Sequence, residues 1–199
     1  MTIHQDPELV MTLQGVIEFI GTFAFALSGI RLAASKHYDW LGGFVCGVAV
    51  AIGGGTIRDV MLGLNPFWMS SPIYLLFTFL AQLVVIVCHH YLKRLDNAWF
   101  LFDTLGLALF NIAGIQKTLD CGFPFWVAII MGCITGSFGG VIRDVLLNEE
   151  PVIFRKEIYA MACVLGGLVY WAFSYLGLSL YITVMASFLP VCIIRLVAV

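Results

Sequence analysis

Charged residues are scarce in this sequence: Lys, Arg, Asp and Glu make up 11% of its 199 residues, against about 25% in an average soluble domain. Hydrophobic residues account for 61% of the chain, and the mean hydropathy is +1.01. Because so few polar side chains cannot cover a soluble globule of this size, the sequence predicts a polytopic membrane protein. The net charge of −2 comes without a basic patch, and we expect no nucleic-acid partner.

The residues that build metal sites and catalytic centres are few and scattered. None of the six cysteines belongs to a CxxC motif, and most lie in apolar runs, where cysteine is usually a small buried hydrophobe. His89 and His90 adjoin Lys93 and Arg94 at the end of an apolar run, which is typical of a membrane interface. No nucleophile is accompanied by a base. We therefore expect no enzyme activity, no metal site and no cofactor.

Apolar runs of about 20 residues, the length that crosses a bilayer, follow one another along the chain. They predict an all-α membrane protein with seven transmembrane helices in a single domain over 1–199. The runs cover 10–31, 40–62, 72–92, 99–117, 124–147, 157–176 and 178–198. The first segment, MTIHQDPELV, lacks the basic start of a signal peptide, so we expect the first run to remain as a span.

Lysine and arginine lie mostly on one side of the predicted membrane. Eight fall in the loops or span ends of that side: Arg31, Lys36, Lys93, Arg94, Arg143, Arg155, Lys156 and Arg195. Only Arg58 and Lys117 fall on the other side. Because basic loops remain in the cytoplasm, we expect a multi-pass membrane protein with its N-terminus outside and its C-terminus in the cytoplasm.

The two halves of the chain are similar at a constant offset of 85 residues. Between positions 18 and 74, 15 of 57 aligned pairs are identical without a gap, and they cluster where IGGGTIRDVML (52–62) meets FGGVIRDVLL (138–147). Each copy holds three spans, an odd number, so the second copy enters the membrane from the opposite side. The sequence thus predicts inverted repeats over about 10–92 and 97–176, followed by a seventh helix over about 178–198.

Both copies carry a glycine cluster inside an apolar span. Each glycine lowers helix stability by about 1 kcal/mol relative to alanine, which predicts a break or a kink in spans 2 and 5. Broken backbone at membrane depth is tolerated where it is buried or lines a watery cavity, which favours an ion or solute path. The candidate path residues are Gly53, Gly54, Gly55, Thr56, Thr135, Ser137, Phe138, Gly139 and Gly140. The alternative is close helix packing, since small residues recur every four positions through both clusters.

An Arg-Asp pair follows each glycine cluster: Arg58 with Asp59, and Arg143 with Asp144. Ionisable residues inside a membrane span are functional by default, and neighbours in sequence point in different directions around a helix. We therefore expect crossed pairs between the repeats, Arg58 with Asp144 and Arg143 with Asp59, that brace the path. The alternative is that both arginines extend to the nearest membrane interface.

Further polar residues accompany these motifs. Glu18 and Asp103 match at the same offset and are candidates for attracting a cation or binding a substrate amine. The alternative for both acids is a favourable position in the dipole of their own helix. Thr56, Thr135 and Ser137 flank the glycines, where their hydroxyls would either replace ion hydration or bond back within the helix.

The chain resembles the prokaryotic branch of the trimeric intracellular cation channels, called TRIC channels, in five stretches: EFIGTFAFALSGI, GGGTIRDVMLG, NPFW, DTLGLALFNIAGIQKTL and GGVIRDVLLNEEPVIFRKEIYA. The resemblance covers nearly the whole chain. It implies inverted three-helix repeats plus a seventh helix, and a homotrimer in the lipid of a bacterial inner (plasma) membrane. It also implies a pore in each protomer, lined by glycine-broken helices 2 and 5.

The same resemblance implies potassium and sodium as permeant ions. Some bacterial relatives are described as glycine transporters, so a secondary transporter for a small zwitterion such as glycine is the alternative. A permanent pore and alternating access would use the same helix breaks, and the sequence leaves both open. One position departs from the pattern, because Phe138 replaces the first glycine of the second cluster. We expect this ring to stiffen the second break or to enter the path.

Overall fold

A computed structural model describes residues 7–88, 98–155 and 158–197 of the chain. These residues form seven helices of 15 residues or more: α1 Pro7–Ser35, α2 Trp40–Met61, α3 Ile73–Val87, α4 Ala98–Asp120, α5 Phe125–Leu146, α6 Ile158–Tyr175 and α7 Leu180–Val197. A 3-10 turn at Phe67–Ser70 precedes α3, and a short helical turn at Val152–Arg155 precedes α6. The described part of the chain is all-helical, as predicted.

Five of these helices, α1, α2, α4, α5 and α7, are long and apolar enough to cross a membrane. The helices α3 and α6 are also apolar but shorter. Every predicted span overlaps one of the seven helices. Positions 89–92, at the end of the third predicted span, lie outside the described residues. Five spans are therefore clear, and the total of seven stays a prediction.

The helices α2 and α5 end in the same way at matching positions. Just beyond them, Gly63 has φ +71° and Asn148 has φ +53°. This left-handed conformation, which glycine and asparagine adopt most easily, is typical of helix C-termini. The N–H group of the following residue then donates to the carbonyl oxygen of Asp59 or Asp144, at 2.8 Å in both cases. Both helices thus stop shortly after their Arg-Asp pair.

A break at either glycine cluster is wrong for this structure, because α2 and α5 are continuous helices. The kink that the same glycines predict stays a prediction. α2 is α-helical throughout Trp40–Met61, and α5 is α-helical throughout Phe125–Leu146. Low helix propensity is a weak preference that tertiary packing overrides. Here the missing side chains let two helix backbones touch, and this contact stabilises the helical conformation of both segments.

The helices α1 and α4 lie at the centre of the bundle. Their spans are 67% and 72% buried, against 39% for α2 and 44% for α5. Between them, the rings of Phe25 and Phe110 stack with centroids 5.3 Å apart and planes 8° from parallel. Each ring also packs on a glycine of the other helix, Phe25 on Gly106 and Phe110 on Gly21. Because both residue pairs are 85 positions apart, the contact is reciprocal between the two halves.

Candidate functional site

A buried ion-pair network joins α1 to the end of α2. The fully buried guanidinium of Arg58 donates from Nε to Asp59 Oδ1 at 2.8 Å and from Nη2 to Glu18 Oε1 at 3.1 Å. Tyr74 on α3 donates its hydroxyl to the other oxygen of Glu18 at 3.2 Å. The second oxygen of Asp59 accepts the N–H of Phe67 at 2.7 Å. Both carboxylates are therefore held from two sides.

The same network recurs between α4 and the end of α5. The guanidinium of Arg143 donates from Nε to Asp144 Oδ1 at 2.8 Å and from Nη1 to Asp103 Oδ1 at 2.6 Å. The second oxygen of Asp144 accepts the N–H of Val152 at 3.0 Å. Arg143 Nη1 also donates to the hydroxyl of Ser28 on α1 at 2.8 Å. This last contact has no equivalent in the first network, because the position 85 residues after Ser28 is an alanine.

A second cation completes each network. Lys117 on α4 places Nζ 3.1 Å from Asp59 Oδ1, and Arg195 on α7 places Nη2 2.7 Å from Asp103 Oδ2. The first charge cluster comprises Glu18, Arg58, Asp59 and Lys117, and the second charge cluster comprises Asp103, Arg143, Asp144 and Arg195. Each contains two carboxylates and two cations, so its formal charge is zero. Pairing and neutrality reduce the several kcal/mol that an isolated buried ion costs.

Sequence reasoning missed Lys117 and Arg195 as members of these clusters. It used both residues only as topology signals, because neither has a basic counterpart 85 positions away. A signal was nevertheless present in the repeat itself. The matched positions supply two acids and one arginine to each half of the chain. One negative charge in each half therefore has no matched cation. A further cation therefore had to come from a position that the halves do not share.

The predicted crossed pairs, Arg58 with Asp144 and Arg143 with Asp59, are wrong. Each arginine pairs instead with the aspartate next to it in sequence and with an acid 40 residues earlier. The Cα–Cβ bonds of adjacent residues do diverge, but the long arginine stem carries the guanidinium back to its neighbour. The interface alternative is wrong as well, since both arginines are 0% exposed.

Aromatic rings cover the buried guanidinium groups. The Cζ atom of Arg58 lies 5.6 Å from the ring centroid of Phe67, and that of Arg143 lies 4.8 Å from Trp99. Arg195 lies over Phe100 at 4.4 Å and over Tyr159 at 4.3 Å. These ring faces attract a cation that has lost its water. They therefore stabilise both clusters in the charged state. The sequence analysis assigned no such role to these rings.

Between the two clusters, α2 and α5 cross in backbone contact. A Cβ atom on Gly54 would collide with the carbonyl oxygen of Thr135, and one on Gly139 would lie 2.7 Å from the carbonyl oxygen of Val50. The partners are again 85 positions apart, so the crossing is reciprocal. This observation favours the packing interpretation of these glycines. Only residues without a side chain permit so close an approach.

The other candidate path residues surround this crossing. A Cβ on Gly53 would collide with Ile142, one on Gly55 would lie 2.5 Å from the ring of Phe67, and one on Gly140 would lie 2.7 Å from the hydroxyl of Tyr159. Phe138, which stands where the first copy has Gly53, is partly buried. Whether any of these residues lines a path stays a prediction.

The hydroxyl groups near the crossing bond back within their own helices. Thr135 and Ser137 donate to the carbonyl oxygens four residues earlier, at 2.6 Å in both cases. Thr56 does the same at 2.7 Å and accepts the indole N–H of Trp68 at 3.1 Å. Such back-bonding is common for Ser and Thr in helices. In this conformation the hydroxyls are therefore engaged within the protein.

Chemically, the site presents two neutral charge clusters near the close contact of α2 and α5. Each cluster keeps one guanidinium donor without a hydrogen-bond or ion-pair partner among the described residues: Arg58 Nη1 in the first cluster and Arg195 Nε in the second. Across residues 7–88, 98–155 and 158–197, no three His, Cys, Asp or Glu side chains form a group suited to a metal ion.

Comparisons with known proteins match both halves of the chain. The family model described as Glycine transporter matches the chain twice, over residues 15–90 and 100–175. These two segments are again 85 residues apart. The UPF0126 inner membrane protein YadS of Escherichia coli K12 is 42% identical over 165 residues, which cover 79% of each chain.

Solved structures share the fold over almost the whole chain. The TRIC trimeric intracellular cation channel orthologue from Rhodobacter sphaeroides matches with a TM-score of 0.89 and 32% identity, over 94% of this chain and 97% of that one. The crystal structure of a prokaryotic TRIC channel in 0.5 M KCl matches with a TM-score of 0.86 and 29% identity, over 94% and 96%. This all-helical, multi-pass inner-membrane protein therefore belongs to the prokaryotic branch of the TRIC family.

Proposed function

We propose that this protein is a cation channel with an ion path in each protomer. The observation that carries the proposal is the match of 94% of the chain, at a TM-score of 0.89, to a TRIC cation channel. The two charge clusters support it. They attach the ends of α2 and α5 to the central helices α1 and α4 while leaving no formal positive charge to repel a cation.

The permeant ions are monovalent, K+ and Na+, and their path runs along the crossing of α2 and α5. Contact at the crossing corresponds to a closed state, because the glycines Gly54 and Gly139 lie against backbone of the opposite helix. Conduction requires the two helices to separate there. Separation exposes the carbonyl oxygens of Val50 and Thr135, and carbonyl oxygens replace the hydration shell of a cation in selective pores.

The proposed assembly is a homotrimer in membrane lipid, in keeping with the word trimeric in the name of the matched Rhodobacter sphaeroides channel. Within each protomer, the reciprocal Phe25–Phe110 and Gly54–Gly139 contacts support inverted three-helix repeats about an axis in the membrane plane. The N-terminus lies outside and the C-terminus in the cytoplasm. No cofactor takes part in the proposed function.

A secondary transporter for a small zwitterion such as glycine is the second candidate. The description of the matching family model favours it. So does the free donor of Arg58, because Nη1 lies in the same cluster as the carboxylate of Glu18. In this candidate the substrate carboxylate pairs with Arg58 Nη1 and its amine pairs with Glu18.

Single-channel recording of the pure protein in planar bilayers, beside glycine uptake into proteoliposomes, separates the two candidates. For a channel we expect unitary currents that reverse near the potassium equilibrium potential in a KCl gradient, and glycine uptake no higher than in protein-free liposomes. Saturable glycine uptake that unlabelled glycine competes away, without unitary currents, would overturn the channel and favour the transporter.

A further inference from the structure

A pocket opens where the end of α1, the start of α2 and the end of α3 meet. Its volume is about 340 Å³, within the range of about 300–1,000 Å³ that is typical of small-molecule sites. Ile30, Val85 and Ile86 supply apolar walls, and the α1–α2 turn supplies the rim. Arg31 and Lys36 place this turn at the expected cytoplasmic interface. The pocket therefore lies at the depth of lipid headgroups.

One polar side chain lies deep in this pocket. Gln82 is only 5% exposed, and its Nε2 donates to the carbonyl oxygen of Trp40 at 3.3 Å. The other amide atom, Oε1, has no hydrogen-bond partner among the described residues. A buried acceptor without a partner is unfavourable. The pocket thus favours a ligand that brings a hydrogen-bond donor.

The rim of the pocket favours a cation. Asp39 caps α2, with Oδ1 accepting the N–H of Gly42 at 2.6 Å, and its carboxylate is exposed at the rim. Tyr38 and Trp40 also line the pocket and are 45% and 71% exposed. Aromatic faces attract cations. Among the described residues that line the pocket, none is Lys or Arg.

We infer that this pocket binds the primary ammonium headgroup of a membrane phospholipid, of which phosphatidylethanolamine is the example. A primary ammonium carries three N–H donors, which serve Gln82 Oε1 and the carboxylate of Asp39. The rings of Tyr38 and Trp40 contact the positive charge. The apolar walls take the upper part of an acyl chain, which a water-soluble amine lacks, and this identifies the source as a lipid.

Native mass spectrometry of the full chain with defined lipids of equal acyl chains tests the inference. We expect phosphatidylethanolamine to be retained more strongly than phosphatidylglycerol, which is anionic and has no ammonium. Phosphatidylcholine should be retained to an intermediate degree, because its quaternary ammonium group is cationic but has no N–H donor. The three lipids thus separate hydrogen bonding to Gln82 from attraction to the rim.

Three variants report on this chemistry. Gln82→Leu removes the acceptor at similar size, and should reduce phosphatidylethanolamine retention by about tenfold, as loss of a hydrogen bond to a charged group predicts, while phosphatidylcholine is unaffected. Asp39→Asn keeps the helix cap but removes the charge, and should reduce retention of both lipids. Gln116→Leu alters another buried glutamine, on α4 and away from the pocket, and should leave retention unchanged.

Equal retention of all three lipids by the unaltered chain would overturn the inference. That result would identify the pocket as an unselective acyl groove, as a site for water alone, or as a surface covered by a second copy of the chain. An equal loss of adducts in Gln82→Leu and Gln116→Leu would overturn it too, because it would reflect general destabilisation. The measurement detects lipid and not flux, so its outcome is independent of the proposed function.

Discussion

Arg58 and Arg143 link helices as well as charges. Each guanidinium is fully buried and loses hydration that only close, well-aligned partners replace. The aspartate next in sequence accepts a hydrogen bond from each guanidinium at 2.8 Å. Because it lies on the same helix as the arginine, this contact does not join two helices. The second partner, Glu18 or Asp103, belongs to a central helix. At the scale of the residue, the distant acid is therefore the one that holds α2 on α1 and α5 on α4.

A double-mutant cycle between Arg58 and Glu18 measures this link. Glu18→Gln leaves the buried guanidinium with one carboxylate fewer, and breaking such a pair is expected to destabilise the protein by about 3–5 kcal/mol. Adding Arg58→Met should recover part of the loss, with a coupling free energy of about 1 kcal/mol or more. The measurement is the free energy of unfolding in detergent, followed by circular dichroism.

The control cycle combines Arg58→Met with Asp144→Asn, the pair that the sequence predicted to be in contact. Because Arg58 and Asp144 belong to different clusters, their coupling should stay below about 0.5 kcal/mol. Strong coupling in this control, with none between Arg58 and Glu18, would contradict the pairing seen in the structure and restore the crossed pairs.

The sequence located most members of the clusters but not their pairing. Positions 18 and 103, 58 and 143, and 59 and 144 stand out because the two halves align without a gap. The acid that an arginine contacts depends on the arginine rotamer and on how closely the neighbouring helices approach. An alignment of the two halves of the sequence gives neither of these. Lys117 and Arg195 were missed because comparison of repeats detects only what the repeats share.

At the scale of the helix, α2 and α5 show which features follow from amino-acid composition and which depend on tertiary packing. The existence of these helices follows from long apolar runs, and the sequence predicts it well. Their continuity through the glycines does not follow from the sequence. Glycine is compatible both with a helix break and with the close approach of two helices. In the structure, the carbonyl oxygens of Thr135 and Val50 lie against Gly54 and Gly139, so the glycines serve the close approach.

Alanine at the crossing should push α2 and α5 apart. In Gly54→Ala and Gly139→Ala the new methyl group meets a backbone carbonyl, which cannot rotate away as a side chain can. Overpacking of this kind costs about 1–3 kcal/mol per site. If the crossing is the closed contact, the double variant should also spend more time open in bilayer recordings. The unfolding free energy in detergent and the open fraction are the two measurements.

Gly15→Ala is the matched control for the crossing. A Cβ there meets nothing within 4 Å, so the substitution should stabilise α1 by up to about 1 kcal/mol and leave the currents unchanged. A double variant at the crossing that is as stable as Gly15→Ala and conducts less than the unaltered protein would contradict the closed-contact interpretation.

At the scale of the whole molecule, the structure removes some of the charges that set the expected orientation. Arg143 and Arg195 are buried in the second charge cluster and Arg58 in the first, so none of them is a loop residue. Six basic residues then remain on the expected cytoplasmic side and Lys117 alone on the other. Of those six, Lys93, Arg94 and Lys156 lie outside the described residues. Lys and Arg residues outside the clusters are therefore still more numerous on the expected cytoplasmic side.

Reporter fusions test this orientation. Green fluorescent protein fused after Val199 should fluoresce, and alkaline phosphatase at the same point should be inactive, because the C-terminus is expected in the cytoplasm. Fusion after Gly122, in the turn that follows α4, should give the opposite pair of signals. Active phosphatase after Val199 would contradict both the orientation and the count of seven spans.

The spacing of the ion pairs along the chain also orders the biogenesis of the protein. Glu18 is synthesised 40 residues before Arg58, which corresponds to about 2–8 s at ordinary rates of synthesis. Asp103 precedes Arg195 by 92 residues, which corresponds to about 5–18 s. An unpaired acid in a span costs about 2.5–3.5 kcal/mol. The acids of the two central helices thus favour retention of α1 and α4 beside the translocon until their cations emerge, so that the bundle assembles outward from its core.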